Sequence, residues 1–249
     1  MARQNHFKAI IFFLALVVSK SGYSEDSQNL QKSSLANDRY FFDVSFENSL
    51  KAHWIKDSSV DRELFLVSNI VPDFALSIVR VLDADSELIA TGTIGATFYT
   101  PASDFTLSPK RAPKVSYLLA YQRQLLGKMQ GSLGLGLRQS PTVHSLRRLS
   151  AGVQNQTQLF FGSSVQLPLF SLFSRTVSSG VFGNFYLPGM AQSLAPLWGF
   201  QIRFFMEIDH LFGSQSAYQL RGFFDYENLA IQRGSQKSMA LGSSLGVRF

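Results

Sequence analysis

The last twelve residues of the chain alternate between two kinds of side chain, and this pattern strongly limits the possible folds. One set is apolar with a single exception, and comprises Met239, Leu241, Ser243, Leu245, Val247 and Phe249. The intervening set is small or polar, and comprises Ser238, Ala240, Gly242, Ser244, Gly246 and Arg248. A period of two is typical of a β-strand with one apolar and one polar face. In a soluble sandwich the apolar face would meet a core, whereas in a membrane barrel it would meet lipid and the polar face would line the lumen.

The same alternation recurs upstream and predicts nine further strands. Seven are clear: 88–99, 115–122, 129–138, 158–169, 177–187, 198–209 and 217–226. Two are weaker, at 40–47 and 74–82. Together the segments predict an all-β protein, a closed antiparallel transmembrane β-barrel of about ten strands. Two additional segments, Glu63–Ile70 and Arg147–Val153, would raise the number to twelve, and a barrel without the two weak segments would have eight.

The predicted connections divide into two sets. At one end they are short, at 83–86, 126–128, 171–175 and 210–216. At the other end they are long, at 50–73, 101–113, 139–156, 188–197 and 227–237. Outer-membrane barrels have this asymmetry, with short periplasmic turns and longer external loops.

The N-terminus is typical of a secretory signal peptide. Arg3 and Lys8 precede the uncharged run Ala9–Val18, and the small residues Gly22 and Ser24 have the spacing of a signal-peptidase site. The apolar run has about ten residues, whereas a membrane-spanning helix needs roughly 20. We therefore expect residues 1–24 to be removed, residues 25–38 to form a disordered periplasmic leader, and residues 39–249 to form the barrel domain. The absence of cysteine argues against a small disulfide scaffold.

The C-terminal strand resembles a signature of bacterial outer-membrane β-barrels as a class. It ends on Phe249 and has Val247, Leu245 and Leu241 two, four and eight places earlier, although Ser243 departs from the apolar preference. The resemblance implies an outer-membrane location, contact with outer-membrane lipid, and recognition of this strand by periplasmic chaperones and the barrel-assembly machinery. It points to no specific family.

Charged residues within the predicted strands lie opposite the large apolar side chains: Arg203, Glu207, Arg221, Asp225 and Arg248. Because Arg or Lys at the lipid-facing midplane costs roughly 2–4 kcal/mol, we expect these residues to line the lumen. They predict either a structural network that fills a narrow lumen or a charged constriction that selects solutes. Barrels of about eight strands are filled by side chains. The inner faces of 129–138 and 239–249 are rich in Gly and Ser, however, and such small side chains are compatible with a narrow pore.

The residues that could carry catalysis form no convincing set. Once the signal is removed, three histidines remain, and His144 with Ser145 has no acidic residue near it. Asp83 and Asp85 with Asp209–His210 bear a superficial resemblance to the acidic and histidine residues of omptin proteases. The predicted topology puts them at the periplasmic end, where Asp favours turns. We expect no metal cluster and no cofactor.

The mature chain has 20 basic and 17 acidic residues, and this mild excess gives no indication of nucleic-acid binding. We therefore expect a non-enzymatic outer-membrane barrel, acting as a small channel or in a structural or surface-interaction role. Three alternatives remain: the translocator barrel of an autotransporter without its passenger, an outer-membrane lipid or peptide hydrolase, and a soluble periplasmic β-protein. The sequence does not indicate the oligomeric state.

Overall fold

The computed structural model of the chain describes residues 40–57, 62–100, 106–108, 111–144, 150–172, 175–189, 198–209, 217–231 and 234–249. Residues 1–39, with the predicted signal peptide, its cleavage site at Gly22 and Ser24, and the leader, lie outside this part. The strands are β1 Tyr40–Asp57, β2 Arg62–Val81, β3 Ser86–Phe98, β4 Thr106–Ser108, β5 Arg111–Gln124, β6 Gln130–His144, β7 Ser150–Leu172, β8 Arg175–Tyr186, β9 Trp198–Asp209, β10 Ala217–Ile231 and β11 Gly234–Arg248. No helix in the described residues is both long and apolar enough to cross a membrane.

The ten long strands close into a ring. In order around the barrel they are β1, β2, β3, β5, β6, β7, β8, β9, β10 and β11, and β11 pairs back onto β1. Every neighbouring pair in the ring is antiparallel, and the closing pair runs in continuous register from Asp43 opposite Arg248 to Asp57 opposite Gly234. Closure leaves the wall without an edge strand, because each strand has a partner on both sides. The prediction of an all-β, closed, ten-stranded antiparallel barrel is confirmed.

The two alternative strand counts are wrong. Residues 63–70 are the first part of β2, and the described residues of the segment 147–153 are the first part of β7. Pro72 lies between the two predicted segments 63–70 and 74–82, and as a proline it cannot donate a ladder hydrogen bond. In the barrel it lies where the pairing of β2 with β3 ends at Asp73, and next to a register shift between Ser49 and Lys51 on β1. The strand therefore continues past this proline.

The two faces of the wall differ as the alternation predicts. Outward-facing side chains are large and apolar, and Leu133, Phe204 and Leu241 are 70%, 52% and 65% exposed. Inward-facing side chains are small, polar or charged, with Phe205 and Phe223 buried among them. The apolar face therefore points away from the lumen, which contradicts the soluble alternative, in which that face would pack against a core.

We call the two ends of the barrel the turn end, where β1 starts and β11 finishes, and the loop end. Three of the five long connections predicted at the loop end are wrong, whereas long connections remain between β3 and β5 and between β8 and β9. β1 continues to Asp57 before β2 starts at Arg62, β6 continues to His144 before β7 starts at Ser150, and β10 and β11 are separated by residues 232–233. These segments extend the hairpins because continued pairing satisfies their backbone hydrogen-bonding groups. At the turn end, Gly127 adopts a φ of 65° in the tight turn between β5 and β6.

An apolar cluster, which we call the cap, lies within the loop end of the barrel. It contains Ile55, Leu66, Tyr99, Leu107, Ala112, Val143, Ala151 and Val153. Leu107 comes from β4, which pairs in parallel with residues 150–152 of β7. Val143 of β6 and Val153 of β7 lie opposite each other in the hairpin. On the same face of β6, nearer the turn end, are the exposed Leu133 and Leu135. The hairpin therefore turns this face into the interior at its end, where it packs against Ile55 and Leu66 of β1 and β2.

Substitutions at two glycines compare the tightly packed inner face of the wall with its open outer face. A methyl group on Gly136, on the inner face of β6, would clash with the Phe160 ring and the Tyr117 carbonyl oxygen, whereas one on Gly222, on the outer face of β10, meets nothing within 4 Å. We expect Gly136→Ala to lower the free energy of unfolding by about 1–3 kcal/mol. Gly222→Ala should leave it unchanged or raise it by about 0.4–1 kcal/mol. Urea unfolding in detergent micelles measures both, and equal effects would contradict this packing.

Candidate functional site in the barrel lumen

The lumen contains a cavity of about 490 Å³. It runs from Asp43 and Gly246 near the turn end to His53 and to Tyr99 of the cap. The Arg221 side chain, nearer the turn end, is 33% exposed, whereas those of Arg138 and Glu227 are each 10% exposed. Arg221 is therefore more exposed than the two strap residues, although its partner Glu207 is only 4% exposed.

Arg203 of β9 is held between two carboxylates in the middle of the lumen. Its Nε and Nη2 donate to Oδ1 and Oδ2 of Asp225 on β10, both at 2.7 Å. Its Nη1 and Nη2 donate to Oε2 and Oε1 of Glu47 on β1, at 2.6 and 2.9 Å. The guanidinium carbon also lies 4.0 Å from the centroid of the Phe223 ring. Two bidentate pairs use the planar fork of arginine in a way that lysine could not reproduce.

A second group of charges crosses the lumen, and we call it the strap. Glu227 of β10 accepts hydrogen bonds from Lys51 Nζ of β1 at 3.2 Å and from Nη1 of Arg138 of β6. Arg138 Nη2 also donates to Oε1 of Gln158 at 2.9 Å, and its guanidinium lies over the Tyr186 ring. In the ring order β6 is four strands from both β1 and β10. The strap therefore joins opposite walls of the barrel.

The other lumenal charges are also paired. Glu207 accepts from Nε of Arg221 at 2.7 Å, and Asp43 accepts from Nε of Arg248 at 2.7 Å. Asp73 pairs with Lys114. In the part of the lumen that the structure describes, these bridges join six acidic to six basic side chains: Asp43, Glu47, Asp73, Glu207, Asp225 and Glu227 with Lys51, Lys114, Arg138, Arg203, Arg221 and Arg248. Their formal charges sum to zero.

The structure places the five charged residues singled out from the sequence on the inner side of the wall. Arg203, Glu207, Arg221 and Asp225 line the cavity, and Arg248 lies at the turn end in its pair with Asp43. Sequence reasoning did not assign a lumenal role to the strap residues. Arg138 was on the polar face of a predicted strand, but Lys51 and Glu227 fell in predicted connections. Extending the alternation of β1 and β10 beyond their predicted ends would have placed both on the inner face.

Several buried polar atoms around the cavity have no hydrogen-bond partner in the described protein: His53 Nδ1, Asp73 Oδ1, Tyr99 OH and Asn184 Oδ1. His53 Nε2 lies 3.3 Å from Ser68 Oγ, and its ring lies 5.2 Å from that of Tyr99. Asn184, on β8, donates from Nδ2 to Oε1 of Gln201 on β9 at 3.0 Å. These donors and acceptors are enclosed by protein beside charges that are well paired.

The predicted assembly signal lies on the outer surface of the closing strand. Leu241, Leu245 and Phe249 are 65%, 50% and 65% exposed, and Val247 is half-buried. The Phe249 N–H donates to the Phe42 carbonyl oxygen at 2.9 Å, and the Phe42 N–H donates to the Phe249 carbonyl oxygen at 3.2 Å. The last residue therefore takes part in the pairing that closes the barrel.

The residues considered for catalysis are not brought together in the described structure. Asp83 and Asp85 lie in the β2–β3 turn, where the Asp85 N–H donates to the Asp83 carboxylate at 2.8 Å. A hydrogen bond from Ser86 lowers the pKa of Asp83, in keeping with turn chemistry. The His144 side chain, Ser145 and His210 lie outside the described residues. Within the described ranges, no group of three or more acidic or histidine side chains could hold a metal ion.

No protein-family model and no curated protein sequence matches the chain. Solved structures that are similar in fold include the following three. An outer membrane channel from Pseudomonas putida F1 has a TM-score of 0.45 and 11% identity over 92% of this chain and 100% of its own. The outer membrane protease OmpT from Escherichia coli has a TM-score of 0.44 and 9% identity over 88% of this chain and 99% of its own. The translocator domain of the autotransporter NalP from Neisseria meningitidis has a TM-score of 0.41 and 8% identity over 82% of this chain and 87% of its own. These low similarities add nothing to what the barrel's own geometry shows.

Proposed function

We propose that this chain is an exported, non-enzymatic outer-membrane β-barrel that does not form an open pore. The observation that carries the proposal is a double closure of the lumen. The strap joins opposite walls through Arg138 and Glu227, and the cap fills the loop end with buried apolar side chains such as Leu66 and Val143. A barrel closed in this way acts as a structural element or presents its loop end to a surface partner.

The outer surface supports the membrane location. Its exposed apolar side chains form a belt around the wall, and contiguous apolar surface of this kind is unusual on a soluble monomer. Aromatic pairs lie toward the loop end of this belt, with Trp54 and Phe65 centred 5.3 Å apart and Phe200 and Tyr226 centred 5.8 Å apart. Tyr40 lies at the turn end, 5.9 Å from the Arg80 guanidinium. Aromatic residues at both borders are typical of membrane barrels.

The signal peptide, its removal after Ser24, and delivery of β11 by periplasmic chaperones to the barrel-assembly machinery belong to the same proposal. The exposed face of β11, with Leu241, Leu245 and Phe249, would be available to such a partner before the strand pairs with β1. This expectation rests on the resemblance of the C-terminal strand to those of other outer-membrane barrels.

The geometry favours the sealed barrel over the other predicted functions. A small channel would need a path past the strap, and a translocator would need space for a polypeptide where Arg203 now bridges Glu47 and Asp225. A hydrolase would need a nucleophile and a base within hydrogen-bonding reach of each other and of a substrate. Ser68 Oγ and His53 Nε2 are 3.3 Å apart, but both side chains are buried and His53 Nδ1 has no acidic partner among the described residues to orient the ring.

Planar-bilayer recording tests the proposal directly. We expect residues 25–249, refolded in detergent, to insert into the bilayer without producing discrete current steps, because the strap and the cap each block the lumen. Salt-dependent unitary steps from the unaltered protein would contradict the sealed barrel and establish a channel. A protein that folds but never inserts would contradict the membrane location.

A further inference from the structure

We propose that two copies of this chain associate side by side in the membrane through the outer faces of β1 and β11, with the Asn48 side chains of the two copies in contact. The inference rests on the membrane location proposed above. It starts from three neighbouring outward-facing residues that interrupt the apolar surface, which we call the polar row. They are Asn48 on β1, Ser243 opposite it on β11, and Gly222 opposite Ser243 on β10, and all three are exposed.

The polar row lies near the middle of the apolar belt. On the outward face of β10, Gly222 is four residues from Tyr218 toward the turn end and four residues from Tyr226 toward the loop end. Aromatic residues at these two positions are typical of the borders of the hydrocarbon layer. Ser243 and Asn48 follow on the next two strands, and strand tilt shifts their depth only slightly. Lipid at this depth is hydrocarbon, which forms no hydrogen bonds.

The Asn48 amide is the group that this environment leaves unpaired. Its neighbours across the wall are Pro72 of β2 and Ser243 of β11, and no described residue forms a hydrogen bond with the Asn48 side chain. A primary amide offers two N–H donors and a carbonyl acceptor. Placing it in hydrocarbon is costly unless a protein group pairs with it. The position therefore favours a protein partner over lipid.

The surface around Asn48 allows a partner to approach closely. A shallow groove of about 340 Å³ is lined by Asn48 together with Leu50 and Leu241, which are 58% and 65% exposed. On the other side of the polar row, Phe46 and Leu245 lie opposite each other and are 52% and 50% exposed. Small residues between larger apolar ones are characteristic of contacts between membrane-spanning segments, and polar side chains stabilise such contacts.

The chemistry of the amide favours a second copy of this chain as the partner. All copies insert in the same direction, so the two-fold axis of a dimer lies along the membrane normal and each residue faces its counterpart at equal depth. Asn48 near this axis meets Asn48 of the other copy. Because an amide both donates and accepts, two such groups can satisfy each other. The polar row also accounts for Ser243, which departs from the apolar preference of the C-terminal strand.

The test measures energy transfer between labelled copies of the mature chain in phosphatidylcholine vesicles. The chain has no cysteine, so Lys237→Cys, on the exposed outer face of β11, attaches one donor or acceptor dye per copy. We expect transfer above the level of random proximity, reduced by competition with unlabelled chain. Dilution with lipid gives the dissociation constant of the dimer.

Three substitutions in the labelled chain locate the contact. Asn48→Leu should weaken the dimer about tenfold, which corresponds to about 1.4 kcal/mol. Ser243→Phe should abolish transfer, because its ring would occupy the groove between the copies. Ser163→Phe is the matched control and should change nothing. Ser163 is likewise an exposed serine on the outer face, but it lies on β7, four strands from β11 in the ring.

Three results would overturn the inference. Transfer no greater than random proximity would mean that lipid covers this face. Equal effects of Ser243→Phe and Ser163→Phe, or an Asn48→Leu dimer as stable as the unaltered one, would place the contact elsewhere. The outcome is separate from that of the bilayer recording, because a protein that conducts and also dimerises through Asn48 would refute the sealed barrel but retain the interface. A protein that inserts but stays monomeric would refute only the interface.

Discussion

Replacing Arg203 by methionine is expected to lower the free energy of unfolding by about 3–5 kcal/mol, the largest effect of any single substitution in the lumen. Arg203 joins Glu47 of β1 to Asp225 of β10 through four hydrogen bonds of 2.6 to 2.9 Å. Without it, two carboxylates that are 18% and 12% exposed lose their main charge partner. The cost arises from these uncompensated charges rather than from the loss of the guanidinium itself.

A triple variant separates these two causes. If the carboxylates cause the loss, Arg203→Met combined with Glu47→Gln and Asp225→Asn should recover most of the stability, because neutral amides need no counter-charge. Arg248→Met is the matched control, since Arg248 and its partner Asp43 are 34% and 23% exposed and loss of this pair should cost less. Urea unfolding of each variant in the same detergent gives the free energies. A triple variant no more stable than Arg203→Met would show that the carboxylates are not the cause.

Removing both closures of the lumen is expected to turn the silent barrel into a conducting one. Arg138→Ser breaks the strap, because its guanidinium is the group that reaches Glu227 from the opposite wall. Leu66→Ser opens the cap, because Leu66 is fully buried among the apolar side chains of the loop end. The wall should persist in the double variant, since its stability depends on the backbone pairing of ten closed strands.

Planar-bilayer recording compares the double variant with each single variant. We expect discrete current steps from the double variant only, because the remaining closure still blocks each single one. Folding is checked independently by the mobility shift of unheated samples on gels. A folded, inserted double variant that stays silent would mean that other side chains block the lumen. Steps from Leu66→Ser alone would mean that the strap leaves a path for ions.

The sequence was most informative where the alternation is regular. In β9, β10 and β11 it correctly separated the outward-facing Phe204, Leu220 and Leu241 from the inward residues, and it predicted about ten strands and a closed antiparallel sheet. The reason is local: successive side chains of any strand point to opposite faces, and an inward charge avoids the cost of lipid contact. Such a pattern can be read without knowing which strands are neighbours.

The tertiary structure alone decided the rest. Arg138 and Glu227 are 89 positions apart in the sequence and meet because the strand number and stagger of the closed ring bring opposite walls within reach. Val143 and Val153 continue the same outward row as Leu133, yet they are buried in the cap because the end of their hairpin turns inward. Alternation determines the face on which a residue lies, whereas closure, stagger and hairpin twist determine what that face meets, and these depend on residues far away in the chain.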